Sequence, residues 1–383
     1  MDRSLNRCTF AIIGIAATIA ASGQTEAPSV TKDAAGQAAY GYAAPAREAY
    51  QGAWSATSAL QDAALWKSLC AARPADVGAQ LNWFRSERNA RLATNNGSLT
   101  DGDAAELDRI AATIQRTAPG SFEHHLSTYY LRFPDPAAGE ALNQARALAP
   151  GRSELLLPLF NQANATGDKA ALDEACARLE REGGLAPGLL EAADDLLRSV
   201  DTRGIVLTNG DMDAAPAIVQ QRRHDVRRDV LVIDQRLLAD PGYRTRMWRE
   251  AGASGPVPGG GPAFARALRT AGTRPVFLAL SLDPDWFDAF PGELCATGIA
   301  FALRPDAQCR VADLAVRWEA MHKTTNAGPL SRNYLLPGAV LLRHYRNDPA
   351  LEGKAARLEL ELRTLGNALG ATRQLIETGV LPH

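Results

Sequence analysis

The stretch Leu207–Ala214 reads LTNGDMDA and places Asn209, Gly210 and two carboxylates, Asp211 and Asp213, directly behind an apolar run. Acids spaced this closely suit metal chemistry. Hard divalent cations take oxygen ligands, so Asp211 and Asp213 are candidate ligands for magnesium or calcium, with Asp283 as a third. Around such an ion one acid can serve as nucleophile and the other can handle protons, which is the arrangement of a metal-dependent hydrolase or transferase. The same letters also spell a purely local structure. Asn-Gly is a strong turn dipeptide, and Asp213 can cap a helix that begins near Ala214 with Pro216 in its first turn. On that reading Asp211 accepts backbone N–H groups of the turn, and no ligand is needed.

The elements around the turn decide what it can meet. GIVLT before it and DVLVID after it are short, β-branched strand patterns, and APAIVQQRRHD between them reads as a helix. Helices at 242–251 and at AFARALRTA follow, then PVFLALSL as a third strand and TGIAFALRP as a fourth. Strands alternating with helices predict a parallel-rich, three-layer α/β domain over 201–315. Ligands of such sheets bind beyond the carboxyl ends of the strands. There the first strand delivers Thr208, Asn209, Gly210, Asp211 and Asp213, the second Asp234, Gln235 and Arg236, and the third Ser281, Asp283 and Asp285. The ligand-binding candidates are therefore Thr208, Asn209, Gly210, Asp211, Asp213, Asp234, Arg236 and Asp283.

Two resemblances bear on this edge. The Asp-x-Asp pair resembles the paired acids of haloacid-dehalogenase-type phosphatases, but Thr-Asn-Gly intervenes where that family keeps its strand apolar up to the first acid. The longer segment from GIVLTNGDMD to PGYRTRMW is similar to a soluble segment of bacterial membrane proteins of the glycosyltransferase-C-like type, relatives of a protein O-mannosyltransferase. Thr208, Asn209, Gly210, Asp211, Asp213, Arg228, Asp229, Val230, Leu237, Leu238 and Tyr243 carry that resemblance. Weaker matches follow at Gly298–Leu303 and Arg332–Tyr334. The transfer chemistry of that family resides in a multi-spanning membrane region that this chain lacks. The resemblance therefore implies a soluble module that recognises a glycan, a peptide or a partner domain.

Upstream, Ala118-Pro119-Gly120 recurs as Ala149-Pro150-Gly151 and Ala186-Pro187-Gly188, at offsets of 31 and 37 residues. Two amphipathic helical patterns lie in each interval. Helix pairs of about 34 residues resemble tetratricopeptide repeats, which stack to share a continuous core. An all-α repeat domain is expected over 56–200, with Asp103 as a helix cap, and Phe122, Tyr129, Tyr130, Phe133 and Phe160 as core. A helical segment over 316–383 should close the chain, broken at a glycine.

At the N-terminus Arg3 and Arg7 precede the apolar run Phe10–Ala20, and small residues follow at Ala21–Gly23. This is the pattern of an export signal at 1–23, followed by a loose segment at 24–55 rich in Ala, Gly, Pro and Ser. No later run is long enough to span a membrane. Secretion or a periplasmic location permits disulfides. Cys295 with Cys309 is one candidate pair and Cys70 with Cys176 the other; no CxxC spacing supports zinc or redox chemistry. A formal net charge of -2 gives no long-range attraction for nucleic acid. The glycine-rich run at 255–264 lacks the lysine of a phosphate-gripping loop. His124 and His125 point in different directions on a helix, and His224, His322 and His344 are scattered. These observations favour an exported cell-envelope protein that binds a protein or peptide partner, with a glycan as a further ligand class. The metal-dependent enzyme centred on Asp211 and Asp213 is the alternative.

Overall fold

The computed structural model describes residues 56–95, 99–305 and 308–382. The expected export signal and the 24–55 segment lie outside the described residues. The chain divides into two compact units, with the boundary between Leu185 and Ala186.

The first unit is helical: α1 (Ala56–Ala72), α2 (Val77–Thr94), α3 (Asp101–Thr117), α4 (Phe122–Arg132), α5 (Ala138–Leu148), α6 (Leu156–Thr166) and α7 (Lys169–Arg181). Consecutive helices pack on one another because each carries an apolar stripe that water would otherwise solvate. Trp66, Phe84, Ile110 and Ile114 fill one core cluster, and Leu81, Phe122, Leu126, Tyr129 and Leu142 fill the next. Phe160 is buried, while Tyr130 and Phe133 pack at the edge of the second cluster. The cap of α3 is Thr100 rather than Asp103. Asp103 is the third helical residue, and its carboxylate accepts from the Thr100 hydroxyl and N–H, completing a capping box. Those bonds and Arg91 hold its carboxyl low, at about 2.

The Ala-Pro-Gly repeats do not share one role. Ala118 and Ala149 are C-cap residues that end α3 and α5. Ala186 instead begins a helix, α8 (Pro187–Arg198), which belongs to the second unit. The helix expected to finish the repeat array is thus part of the sheet unit, and the reason is contact. A Cβ on Gly188 would collide with the backbone of Asn326 and Ala327. The Ser199 hydroxyl accepts from the Ile299 N–H. The C-terminal carbonyls of α8 are taken by arginines from elsewhere in the unit. Arg227 donates to Leu197, Val200 and Asp201 at 2.9–3.1 Å, and Arg317 donates to Ser199. Arg227 adopts a left-handed φ of 45°, a conformation that non-glycine residues hold only when surrounding contacts impose it.

The rest of the unit runs β1 (Ile205–Thr208), α9 (Ala214–His224), β2 (Leu231–Asp234), α10 (Pro241–Glu250), α11 (Pro262–Ala271), β3 (Val276–Ala279), α12 (Pro284–Asp288), β4 (Leu294–Ala296), β5 (Ala300–Leu303), α13 (Val311–Ala320), α14 (Leu335–Arg346), α15 (Glu352–Ala368) and α16 (Thr372–Glu377). All four expected strands form. The sheet order is β2-β1-β3-β5-β4, with β1 parallel to both β2 and β3. The β3–β5 and β5–β4 pairs are antiparallel, so the sheet is mixed. The sequence reading missed β4, whose three residues are too few for a periodic signal. β1 and β3 are wholly buried, as expected of strands covered on both faces. The tail is helical and breaks at Gly370, which takes a left-handed φ of 62° between α15 and α16.

Cys295 on β4 and Cys309 form a disulfide across 14 residues, tying the edge strand to the segment after β5. The second expected bridge does not form. Cys70 sits beside the first helical core cluster, and Cys176 is buried on α7 near Leu172 and Leu179. Burial, with the Asp76 charge adding to it, pushes the Cys70 thiol up to about 11.

Candidate functional site at the strand ends

The chain passes from β1 outward to β2 and then returns to β3 on the other side of β1. The carboxyl ends of β1 and β3 therefore flank a topological switch point. Each group predicted for this edge can be placed there. The Thr208 hydroxyl donates 2.9 Å to the Ile233 carbonyl and so stitches the end of β1 to β2. Asn209 spans the edge: its amide donates to the Ser281 carbonyl at 2.9 Å, and its carbonyl accepts from Gln235 at 3.0 Å. Gly210 has φ 95°, and a Cβ there would lie 2.6 Å from Cζ of Arg236. Both the turn and the passage of the guanidinium require glycine.

Asp213 is the N-cap of α9, as its sequence context implied. One carboxylate oxygen accepts from Ala214 N at 2.8 Å, and the other accepts from Asn209 N at 2.9 Å and from the Ser281 hydroxyl. The side chain is 4% exposed. Burial pushes its pKa up to about 6, with the nearby Asp234 charge adding to the rise and the Asn209, Ser281 and Ala214 donors opposing it. Asp213, Ser281, Met212, Leu280 and Asn333 line a cavity of about 10 Å³, space for one water.

Asp211 departs from expectation. Its carboxylate meets Arg236 Nη2 at 2.6 Å, a partner from beyond its own turn. The same guanidinium reaches Asp234 at 2.7 Å, and Asp234 is 1% exposed. Arg236 N and Tyr243 Oη, the latter accepting from Asp234 N, complete the surroundings. Burial works against the Arg236 charge, but Asp211 and Asp234 outweigh it and raise its pKa above the ordinary guanidinium value. Burial and the Asp234 charge likewise push the Tyr243 hydroxyl upward. An Arg between two carboxylates is the compensated form of a charge taken out of water.

Asp283 is the N-cap residue of α12. Among the described residues, one group of three His, Cys, Asp or Glu side chains brings its ligand atoms within 4.8 Å of one another, and it is Asp194, Asp195 and His322. Asp211, Asp213 and Asp283 do not converge in this way. Asp211 pairs with Arg236, and Asp213 caps α9.

The sequence reading missed Asp194 and Asp195. Their signal was two adjacent acids on the helix LLEAADDLLR, whose Leu189, Ala192, Ala193, Leu196 and Leu197 are buried. It also left His322 without partners. In the structure Asp195 is 0% exposed and receives His322 N, His322 Nδ1 at 2.9 Å and the Tyr334 hydroxyl at 2.6 Å.

Residues 190–263 match a family model described as TMEM260-associated domain 2. The match runs from the middle of α8 through β1, α9, β2 and α10, so it holds Asp194, Asp195 and the whole 208–213 turn with its partner Arg236. Ser281, Asp283 and His322 lie beyond it. No curated protein and no solved structure matches the chain. Among the described residues no helix is long and apolar enough to cross a membrane.

Proposed function

We propose that this is an exported protein of the cell envelope that binds a protein or peptide partner, and that the strand-end turn is a structural key of its α/β unit. The observation that carries this reading is the engagement of the strand-end acids. Arg236 occupies the space between Asp211 and Asp234, and Asp213 is committed to α9 and Ser281. Ion pairs and caps of this kind position the loops that a partner touches. The cavity beside them is too small for a sugar or a peptide side chain. The Cys295–Cys309 bridge supports an oxidising compartment, in keeping with the Arg3, Arg7 and Phe10–Ala20 export pattern.

The helical unit of residues 56–185, read as tetratricopeptide-like, would supply the binding surface. The family match supports a link to glycosyltransferase-like membrane proteins, which makes a glycan, or a glycan-bearing chain, the second ligand class to test. Affinity capture of the full chain from envelope fractions, with and without mild crosslinking, tests the reading. A retained partner that is lost when surface residues of α1–α7 are changed is the expected result. A chain that is monomeric, retains nothing, and turns over a phosphoester or glycoside in the presence of magnesium would refute it.

A further inference from the structure

We propose that Asp194, Asp195 and His322 form a binding site for a divalent transition cation of the zinc class. This site goes beyond the partner-binding reading and is independent of it. Two carboxylates from the C-terminal half of α8 converge on one imidazole nitrogen contributed by the turn after α13. Nδ1 of His322 lies 2.9 Å from Asp195 Oδ1 and 3.8 Å from Asp194 Oδ2. In a tetrahedral zinc site, metal–ligand distances near 2.0–2.2 Å separate neighbouring ligand atoms by about 3.4 Å. These two separations bracket that value, and all three ligand atoms lie within 4.8 Å of one another.

Charge points the same way. Asp194 is 7% exposed and Asp195 0%, so two buried carboxylates face a single nitrogen. A cation placed there offsets both, and a doubly charged ion leaves the group neutral. The mix of imidazole and carboxylate ligands suits zinc, cobalt or nickel better than magnesium or calcium. The carboxylate of Asp195 is oriented by the Tyr334 hydroxyl and the Lys323 N–H on Oδ2 and by the His322 N–H, as ligands of bound metals commonly are. The His322 ring is 47% exposed and gives the ion a way in and an open coordination position. Arg198 holds Asp194 at 2.7 Å, but its own side chain is 59% exposed and can swing away from so weak a pairing. A bound metal takes the place of the contact between Nδ1 and Asp195 Oδ1.

The test uses the full mature chain, stripped with chelator and dialysed against Co2+ or Zn2+, with bound metal and the visible Co2+ spectrum recorded. One equivalent should bind, with the intense bands of low-coordinate cobalt. His322→Gln keeps an amide donor for Asp195 and removes the metal-binding nitrogen; affinity should fall at least about 100-fold. Asp194→Asn should weaken binding in the same direction and serves as the test if the first variant does not fold. Changing His124 and His125 to Ala should leave binding as it was. The proposal is overturned if the folded native chain retains no equimolar metal. It is overturned equally if metal is retained unchanged by both His322→Gln and Asp194→Asn.

Discussion

Asp213 makes the strand-end turn sensitive to pH, with a sign opposite to that of most carboxylates. Its folded pKa is about 6 against an ordinary value of 3.8, chiefly because burial penalises its charge. The folded state therefore binds the proton more tightly than the unfolded chain does. Stability from this group is fully present below about pH 4 and is lost as pH rises through 6. A gap of that size corresponds to about 3 kcal/mol at 1.36 kcal/mol per pKa unit. The side chain is 4% exposed, so solvent screening removes little of it. The perturbation is Asp213→Asn, which retains a good N-cap residue and abolishes the titration. The assay is reversible urea unfolding of wild type and variant at half-unit steps from pH 4 to pH 8. Other carboxylates, such as Asp229, which its Arg227 hydrogen bond holds far below the usual range, act in both proteins and cancel in the difference. The wild-type minus variant stability should fall by roughly 2.5 kcal/mol between pH 4 and pH 7 and stay level above. A difference that is flat, or that rises with pH, would show that Asp213 titrates as an ordinary carboxyl and that its burial has no energetic consequence.

Three further outcomes follow from the same geometry. Arg236→Met strands the buried Asp234 beside Asp211 and should destabilise the α/β unit by about 3–5 kcal/mol in chemical unfolding; a loss under 1 kcal/mol would mean the triad is solvent-screened. Gly210→Ala meets both a left-handed φ and the Arg236 guanidinium, and should lower stability by more than about 1 kcal/mol, whereas Gly353→Ala, with open space around it, should not. Reducing the Cys295–Cys309 bridge opens a 14-residue span and should cost about 3 kcal/mol, seen as a lower melting temperature that Cys70→Ser does not reproduce.

Much of the architecture is legible because it rests on local patterns. GIVLT, DVLVID, PVFLAL and GIAFAL are apolar runs bounded by breakers, and each contains a strand. Asp213 caps α9 because a short acid before a helical start finds unpaired N–H groups within two residues of itself. The intervals after Ala118 and Ala149 hold helix pairs because apolar residues recur there at helical spacing. What the sequence left open depended on distance. The sequence placed Asp211, Asp213 and Asp283 at one edge because the ends of β1 and β3 share it, but an edge says nothing about where a side chain turns. Asp211 turns to Arg236 because Gly210 leaves room for the guanidinium.

The division of the chain shows the same limit. Pro187–Arg198 carries a repeat-like tripeptide and an amphipathic helix, which locally are indistinguishable from the array before it. Its place in the second unit is decided by Gly188 against Asn326, by Arg227 and Arg317 on its last carbonyls, and by Asp195 receiving His322 from 127 positions away. The sequence by itself determined the helices, four of the five strands, the Asp213 cap and the turn, since each is settled by residues within a few positions of one another. Only the tertiary structure decided which acids became ion-pair partners, which cysteines bonded and which histidine met a carboxylate, because those choices depend on backbones brought together by burial of the apolar faces between them.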